Sequence, residues 1–156
     1  RMEKSLRLQN ADLLTEYNLY EADLARPKVK EADFRGKAKH VEYRAREHQP
    51  AMLCTLVMTE KTDAKGVARY PVGIMPVQDP ATGETLVDEL GRRSFTTSVA
   101  YGPTIGKNIA LAYIPWSHAQ VGRKLIIEYF GETYPVEIAG VGYKPLYDPE
   151  NLKPRT

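Results

Sequence analysis

The pattern of apolar and polar positions changes character at Pro50. Before it, apolar residues recur at helical or irregular spacing; after it, they come in short runs separated by glycine and proline. Ala51 to Met58, AMLCTLVM, is an almost unbroken apolar run and predicts a strand buried on both faces. Ser94 to Tyr101 and Asn108 to Ile114 are rich in β-branched and aromatic residues and predict two more strands. Gly102, Pro103 and Gly106 predict the turn between them, and Pro115 stops the second strand. RKLIIEYF (123–130) and TYPVEIAGV (133–141) flank Gly131-Glu132 and predict a hairpin. Pro135 has no N–H, which places the last strand at an edge or the proline at its start. VGIMPV (72–77) leads into the turn DPATGE, TLVDEL pairs back, and Leu90-Gly91-Arg92-Arg93 turns into the strand at Ser94. Short strands between Gly/Pro turns make a sandwich or a barrel.

The first fifty residues read as mixed α/β and incomplete. RMEKSLRL predicts a helix up to Leu8, with Met2, Leu6 and Leu13 toward a core and Asn10 and Asp12 as breakers. TEYNLYEADL (15–24) is ambiguous between a short strand and a connector, and Arg26-Pro27 disfavours helix. Asp33 reads as an N-cap, with Phe34, Ala38, Val41 and Ala45 on one helical face and His48, Gln49 and Pro50 closing the helix. Lys37, Lys39, Glu42, Arg44 and Arg46 fall mostly off that face and read as a solvated surface. TEKTDAKGVARYP (59–71) reads as a polar loop with a turn at Lys65-Gly66. The tail from 142 onward carries three prolines and predicts an extended segment on the surface.

Length narrows this to one domain, or one plus part of a second: residues 1–50 as the end of an upstream domain, 51–143 as a β-domain, 144–156 as a tail. A net charge of +2 from 22 basic and 20 acidic residues argues against a nucleic-acid partner. The single cysteine, Cys54, excludes an internal disulfide framework and fits a reducing compartment, the cytoplasm or, in a eukaryote, the mitochondrial matrix. No apolar run approaches the roughly 18 residues of a membrane span, so no membrane partner is expected. The N-terminus lacks the apolar stretch of a secretory signal, and Arg1 reads as a cut end.

Local chemistry adds little. GPTIGK (102–107) imitates a phosphate loop, but three residues rather than four separate its glycines, Asn108 follows the lysine, and a strand follows rather than a helix. His40, His48 and His118 have no metal-ligand spacing, and no metal is expected. Cys54 lies inside an apolar strand and reads as a structural thiol. The paired carboxylates Asp88-Glu89 and Glu21-Asp23 fall in turn-like or charged surroundings. Tyr101 and Lys107 flank the central turn and are candidates to face a ligand, against the commoner packing and surface roles. No GxGxxG fingerprint occurs, so any flavin site lies outside this chain.

Thr97 to Pro115 closely resembles the TSGGYSPTLGKNIALAYVP signature of the glycine-cleavage T-protein (aminomethyltransferase) family, with Val99, Ala100 and Gly102 where the family more often has Gly, Gly and Ser. A second passage resembles the family's LRxEKGYRxWGxDxTxExxPxEAGL…DFIGxxA. It does so through Arg1, Glu3, Lys4, Arg7, Asp12, Thr15, Glu16, Glu21, Ala22, Leu24, Asp33, Phe34 and Gly36. Gln9 and Asn10 replace Trp-Gly, and Leu19, Asp23 and Arg35 replace Pro, Gly and Ile. The ending PLYDPENLKPR is most similar to the dimethylglycine and sarcosine dehydrogenase-like flavoproteins, which resemble a flavin domain fused to a T-protein-like folate module.

This resemblance implies a distorted jelly-roll-like β-barrel preceded by the end of a folate-binding domain. It implies the C-terminal portion of a folate-dependent one-carbon transfer enzyme that passes a methylene unit from an N-methylated amine or glycine-derived donor to tetrahydrofolate. FAD would belong to an upstream domain, and the partners would be those upstream parts and folate. The family's catalytic aspartate and pterin-binding glutamate would lie upstream, leaving no catalytic residue here. The arginine of LRxE, Arg1 by position, would contact the folate; a guanidinium with five donors suits a pterin or a carboxylate. Two alternatives share the resemblance: a tetrahydrofolate-dependent methyltransferase or demethylase, and a non-catalytic barrel that docks a partner domain.

Overall fold

A computed structural model describes residues 1–25, 28–59, 66–68, 72–150 and 152–153. The chain is mainly β. Six strands, β1 (Ala51–Met58), β2 (Val77–Gln78), β3 (Thr96–Gly102), β4 (Lys107–Pro115), β5 (Lys124–Tyr129) and β6 (Glu132–Val141), form one antiparallel sheet in the order β2-β5-β6-β1-β4-β3. The sheet curls into a half-barrel. Its two ends are stitched together by backbone bonds from Ile74 N to Thr96 O, Thr96 N to Met75 O and Val77 N to Ser94 O. Barrel closure removes the unpaired edges that an open sheet exposes.

Strand β1 lies at the centre, and its almost unbroken apolar run is explained by burial on both faces. Cys54, Leu56 and Met58 meet Ala110, Ala112 and Ile114 of β4 in the barrel interior, together with Leu125, Ile127, Tyr134 and Ile138. Alternate residues Ala51 and Leu53 face outward with Ile109, Leu111 and Tyr113. Met2, Tyr17 and Leu146 pack against that outer face, so the N-terminal segment and the tail act as its cover. Each fully buried Leu or Ile contributes about 1.5–3 kcal/mol relative to exposure, so both layers matter.

The first fifty residues hold less helix than their pattern suggests. The expected helix through Leu8 is a single 3-10 turn, Met2–Lys4, ended by Ser5 in the left-handed region. Met2 is buried as expected, whereas Leu6 is exposed. The second helix, α1 (Lys37–Arg44), starts at Gly36 with φ 85° rather than at Asp33, and stops before His48. No residue of α1 is buried, and Val41 points to solvent. The side turned to the protein carries His40 and Tyr43 instead, with the Tyr20 hydroxyl 3.1 Å from His40 Nε2. A glycine that enters helix from the left-handed region displaces the start expected of Asp33. Arg26-Pro27 and Lys65 lie outside the described residues.

One turn and one strand position differ from expectation in detail. The β5–β6 turn is Phe130-Gly131, both at positive φ, rather than Gly131-Glu132. Strand β6 is internal, between β5 and β1, and Pro135 is its fourth residue. The proline is tolerated because the β1 ladder ends at Met58 opposite Val136. The Pro135 carbonyl receives Thr59 N at 3.1 Å, so its nitrogen faces the side where that ladder has run out. The tail is extended and pinned: Leu146 N and Tyr147 N donate to Glu3 O, and Lys4 Nζ lies 2.7 Å from Asp148 Oδ2.

Candidate functional site

On the outer face, the two passages that carry the family resemblance meet. The register between β3 and β4 shifts between Thr96 and Ser98, so Thr97 is an extra residue that bulges from the ladder. The bulge turns the Thr97 hydroxyl toward the N-terminal segment, where it donates to Asp12 Oδ1 at 2.5 Å. Asp12 Oδ2 receives Arg1 Nη1 and Leu8 N, each at 2.8 Å. Arg1 Nη2 donates to Ser98 Oγ at 3.0 Å, and Nη1 also reaches Leu6 O at 2.9 Å. The side chain of Asp12 is fully buried, whereas that of Arg1 keeps 34% of its surface open.

A second polar cluster lies beside it. Tyr17 stacks on Tyr113 with ring centroids 3.6 Å apart and an interplanar angle of 2°. The Arg92 guanidinium covers the Tyr17 ring at 4.3 Å. Arg92 in turn pairs with Asp88 through Nε at 2.7 Å and with Glu21 through Nη2. Burial pushes the hydroxyls of Tyr17 and Tyr113 well above the ordinary tyrosine range, so both rings stay neutral. Clefts of about 240, 220 and 300 Å³ open around Tyr17 and Asn18: the first toward Tyr43 and Arg92, the second toward Leu13 and Tyr113, the third toward His40 and Tyr43 of α1.

The three residues singled out in the sequence are not brought together. Register pairs Tyr101 with Asn108 and Gly102 with Lys107, so the Tyr101 and Lys107 side chains leave opposite faces of the sheet. Tyr101 shares the face of Asn108, whose amide reaches Met58 Sδ inside the barrel, and is itself half-exposed at the rim. Lys107 shares the outer face with Arg1 but lines a separate cleft of about 340 Å³ with Ile105, Glu137 and Leu146. Arg1 sits at Ser98, opposite Leu111, four residues along β4 from Lys107; that is about 13 Å at the rise of a strand.

Sequence reasoning missed the supporting residues. Asp12 reads locally as a helix breaker, and Glu21 and Asp88 as members of charged or turn-like pairs. Both Glu21 and Asp88 are buried and joined through Arg92, 71 and 4 residues away. The one signal for Asp12 was its place in the resembled motif. Among the described residues no cluster of three or more His, Cys, Asp or Glu could hold a metal ion. Nor is any described helix long and apolar enough to cross a membrane.

Comparison with known proteins bears on the fold and the family. Residues 69–148 match the family model of the glycine cleavage T-protein C-terminal barrel domain. The mitochondrial dimethylglycine dehydrogenase of Rattus norvegicus is 26% identical over 140 residues, covering 88% of this chain and 14% of that protein. The aminomethyltransferase of Synechocystis sp. is 31% identical over 110 residues, covering 64% of this chain and 26% of the relative. The chain therefore spans about a seventh to a quarter of these relatives. The crystal structure of glycine cleavage system aminomethyltransferase T from Bartonella henselae has the same fold, with a TM-score of 0.70 at 18% identity, over 96% of this chain and 37% of that one. The chain belongs to the glycine cleavage T-protein C-terminal barrel domain family.

Proposed function

We propose that this chain is the C-terminal part of a folate-dependent one-carbon transfer enzyme, and that Arg1 is its contribution to the folate site. The enzyme would pass a methylene unit from an N-methylated amine or a glycine-derived donor to tetrahydrofolate. Similarity over most of the chain to a dimethylglycine dehydrogenase favours the folate module of such a flavoprotein, with FAD held by an upstream domain.

The observation that carries the reading is the state of Arg1. Three of its bonds fix the guanidinium against Asp12, Ser98 and Leu6, yet a third of the side chain remains open. An arginine fork has about five N–H donors in a rigid plane, so the open edge fits the planar hydrogen-bonding edge of a pterin or a carboxylate of its tail. Tetrahydrofolate supplies the nitrogen nucleophile that accepts the carbon. This chain's residues hold and orient it, and the barrel beneath them gives a rigid, water-excluding wall.

The test is a tetrahydrofolate titration of the full-length protein by calorimetry, with product analysis after turnover. Arg1→Ala is expected to weaken binding by about 10- to 100-fold, the equivalent of one charged hydrogen-bonded contact. Methylene-tetrahydrofolate is the expected product. Methyl-tetrahydrofolate would favour an intact methyl transfer, and no binding at all would favour a docking barrel.

A further inference from the structure

Asp12 is the carboxylate that pairs with Arg1, and it is tightly held. Its two oxygens accept three donors, Arg1 Nη1 and Leu8 N at 2.8 Å and Thr97 Oγ1 at 2.5 Å. Its backbone is fixed on both sides as well: Asp12 N donates to Leu8 O at 2.9 Å, and the Tyr113 hydroxyl donates to Asp12 O at 2.8 Å. The carboxylate therefore has no freedom to swing. Arg1, by contrast, is a long side chain, and side chains of that kind lose much rotamer entropy when immobilised. The groups that hold its fork are Asp12, Ser98 and the Leu6 carbonyl.

We infer that Asp12 is a positioning residue: it fixes the plane of the Arg1 guanidinium so that the open edge is presented to a ligand before the ligand arrives. Fixing the fork in advance removes an ordering cost from binding, which is how preorganisation raises affinity. Asp12 has no exposed side-chain surface with which to reach a ligand, so its influence on binding passes through Arg1. Thr97 extends the chain of support into β3. The bulge of the barrel strand thereby sets the angle of an arginine from the N-terminal segment. This inference rests on the reading that Arg1 contacts folate.

A double-mutant cycle in the full-length protein separates the two. Tetrahydrofolate affinity is measured by calorimetry for the unaltered protein, Arg1→Ala, Asp12→Asn and the double variant. Asp12→Asn is expected to weaken binding by about 5- to 20-fold, and the double variant to bind no more weakly than Arg1→Ala, because coupled residues are not additive. Thr97→Val loosens the same carboxylate while leaving Arg1 and Asp12 in place. It is expected to give a smaller loss, also absent in the Arg1→Ala background, and serves if Asp12→Asn does not fold. Additive losses, or a silent Asp12→Asn and Thr97→Val alongside a weakened Arg1→Ala, overturn the positioning role alone. An Arg1→Ala variant with unchanged affinity overturns the reading of Arg1 itself, and the positioning role falls with it.

Discussion

The Glu3 carboxylate closes the turn between β3 and β4: Thr104 N donates to Glu3 Oε1 at 2.7 Å, and Ile105 N donates to the same oxygen at 3.1 Å. The GPTIGK turn thus presents its backbone N–H groups to an anion, as its phosphate-loop appearance suggests, but the anion is the chain's own carboxylate. The carbonyl of Glu3 meanwhile receives Leu146 N and Tyr147 N of the tail. One residue therefore ties the N-terminal segment, the signature turn and the tail together.

Removing that tie has a measurable cost. Glu3→Ala is expected to lower stability by about 1.5–3 kcal/mol, the range for hydrogen bonds to a charged acceptor. Urea unfolding measures it, and an unchanged midpoint would mean that water replaces the carboxylate without loss.

The same turn makes a glycine obligatory. Gly106 has φ +66° with nothing within 4 Å of a built Cβ, so the cost of a side chain there is backbone strain alone. Gly106→Val is expected to cost about 1–3 kcal/mol. Gly142 has φ +71° and its added Cβ would also lie 2.8 Å from Asp23 Cγ. Gly142→Ala should therefore be the more damaging change although its side chain is smaller, and comparing the two melting curves checks the order.

How much of this was readable beforehand follows from the range of the interactions. Ala51 to Met58 could be placed from its pattern because burial on both faces writes itself into consecutive residues. Lys107–Pro115 was legible for the same reason, whereas Thr96–Gly102 alternates between buried and open positions and was legible from its β-branched and aromatic residues and the glycine turn after it. The short helices were not, because Ser5 and Gly36 take left-handed angles that an apolar repeat does not encode. Pro135 suggested an edge, and the explanation is a local one: β1 ends where the proline begins. The surroundings of Arg1 were half legible. Arg1 was singled out by motif, whereas its contact with Ser98 and the Asp12–Thr97 bond span 97 and 85 residues, and no local pattern connects them.

Cys54 offers a probe of the barrel interior. Burial pushes its thiol up to about 12, from an ordinary value of 9.0. The folded protein should therefore resist iodoacetamide at pH 8, and labelling should follow global unfolding. The sign of the linkage is that of a raised pKa: stability is fully present below about pH 9, the unfolded value, and is lost as pH rises toward about 12. Tyr17 and Tyr113, also raised by burial, add to the same alkaline loss. Rapid labelling of the folded protein at pH 8 would contradict the buried assignment.

Arg92 joins the N-terminal segment to the barrel through Glu21 and Asp88. Arg92→Met removes the shared cation and leaves two carboxylates buried without it, at an expected cost of about 3–5 kcal/mol. Glu21→Gln keeps Arg92 paired with Asp88 and should cost less. Denaturant titration of both variants tests the ranking, and equal effects would mean that Glu21 alone carries the connection.

In the proposed function this chain supplies one arm of a folate site, Arg1 of the N-terminal segment braced on the barrel, and upstream parts of the protein complete it. A pterin left with unmatched polar groups loses about 1–3 kcal/mol for each, and every 1.4 kcal/mol is about tenfold in affinity. Calorimetric titration of tetrahydrofolate into this chain alone and into the full-length protein is the most direct measurement. Full-length binding is expected to be about two to four orders of magnitude tighter than that of the isolated chain. Equal, micromolar affinity in the isolated chain would place a complete site within the barrel and contradict it.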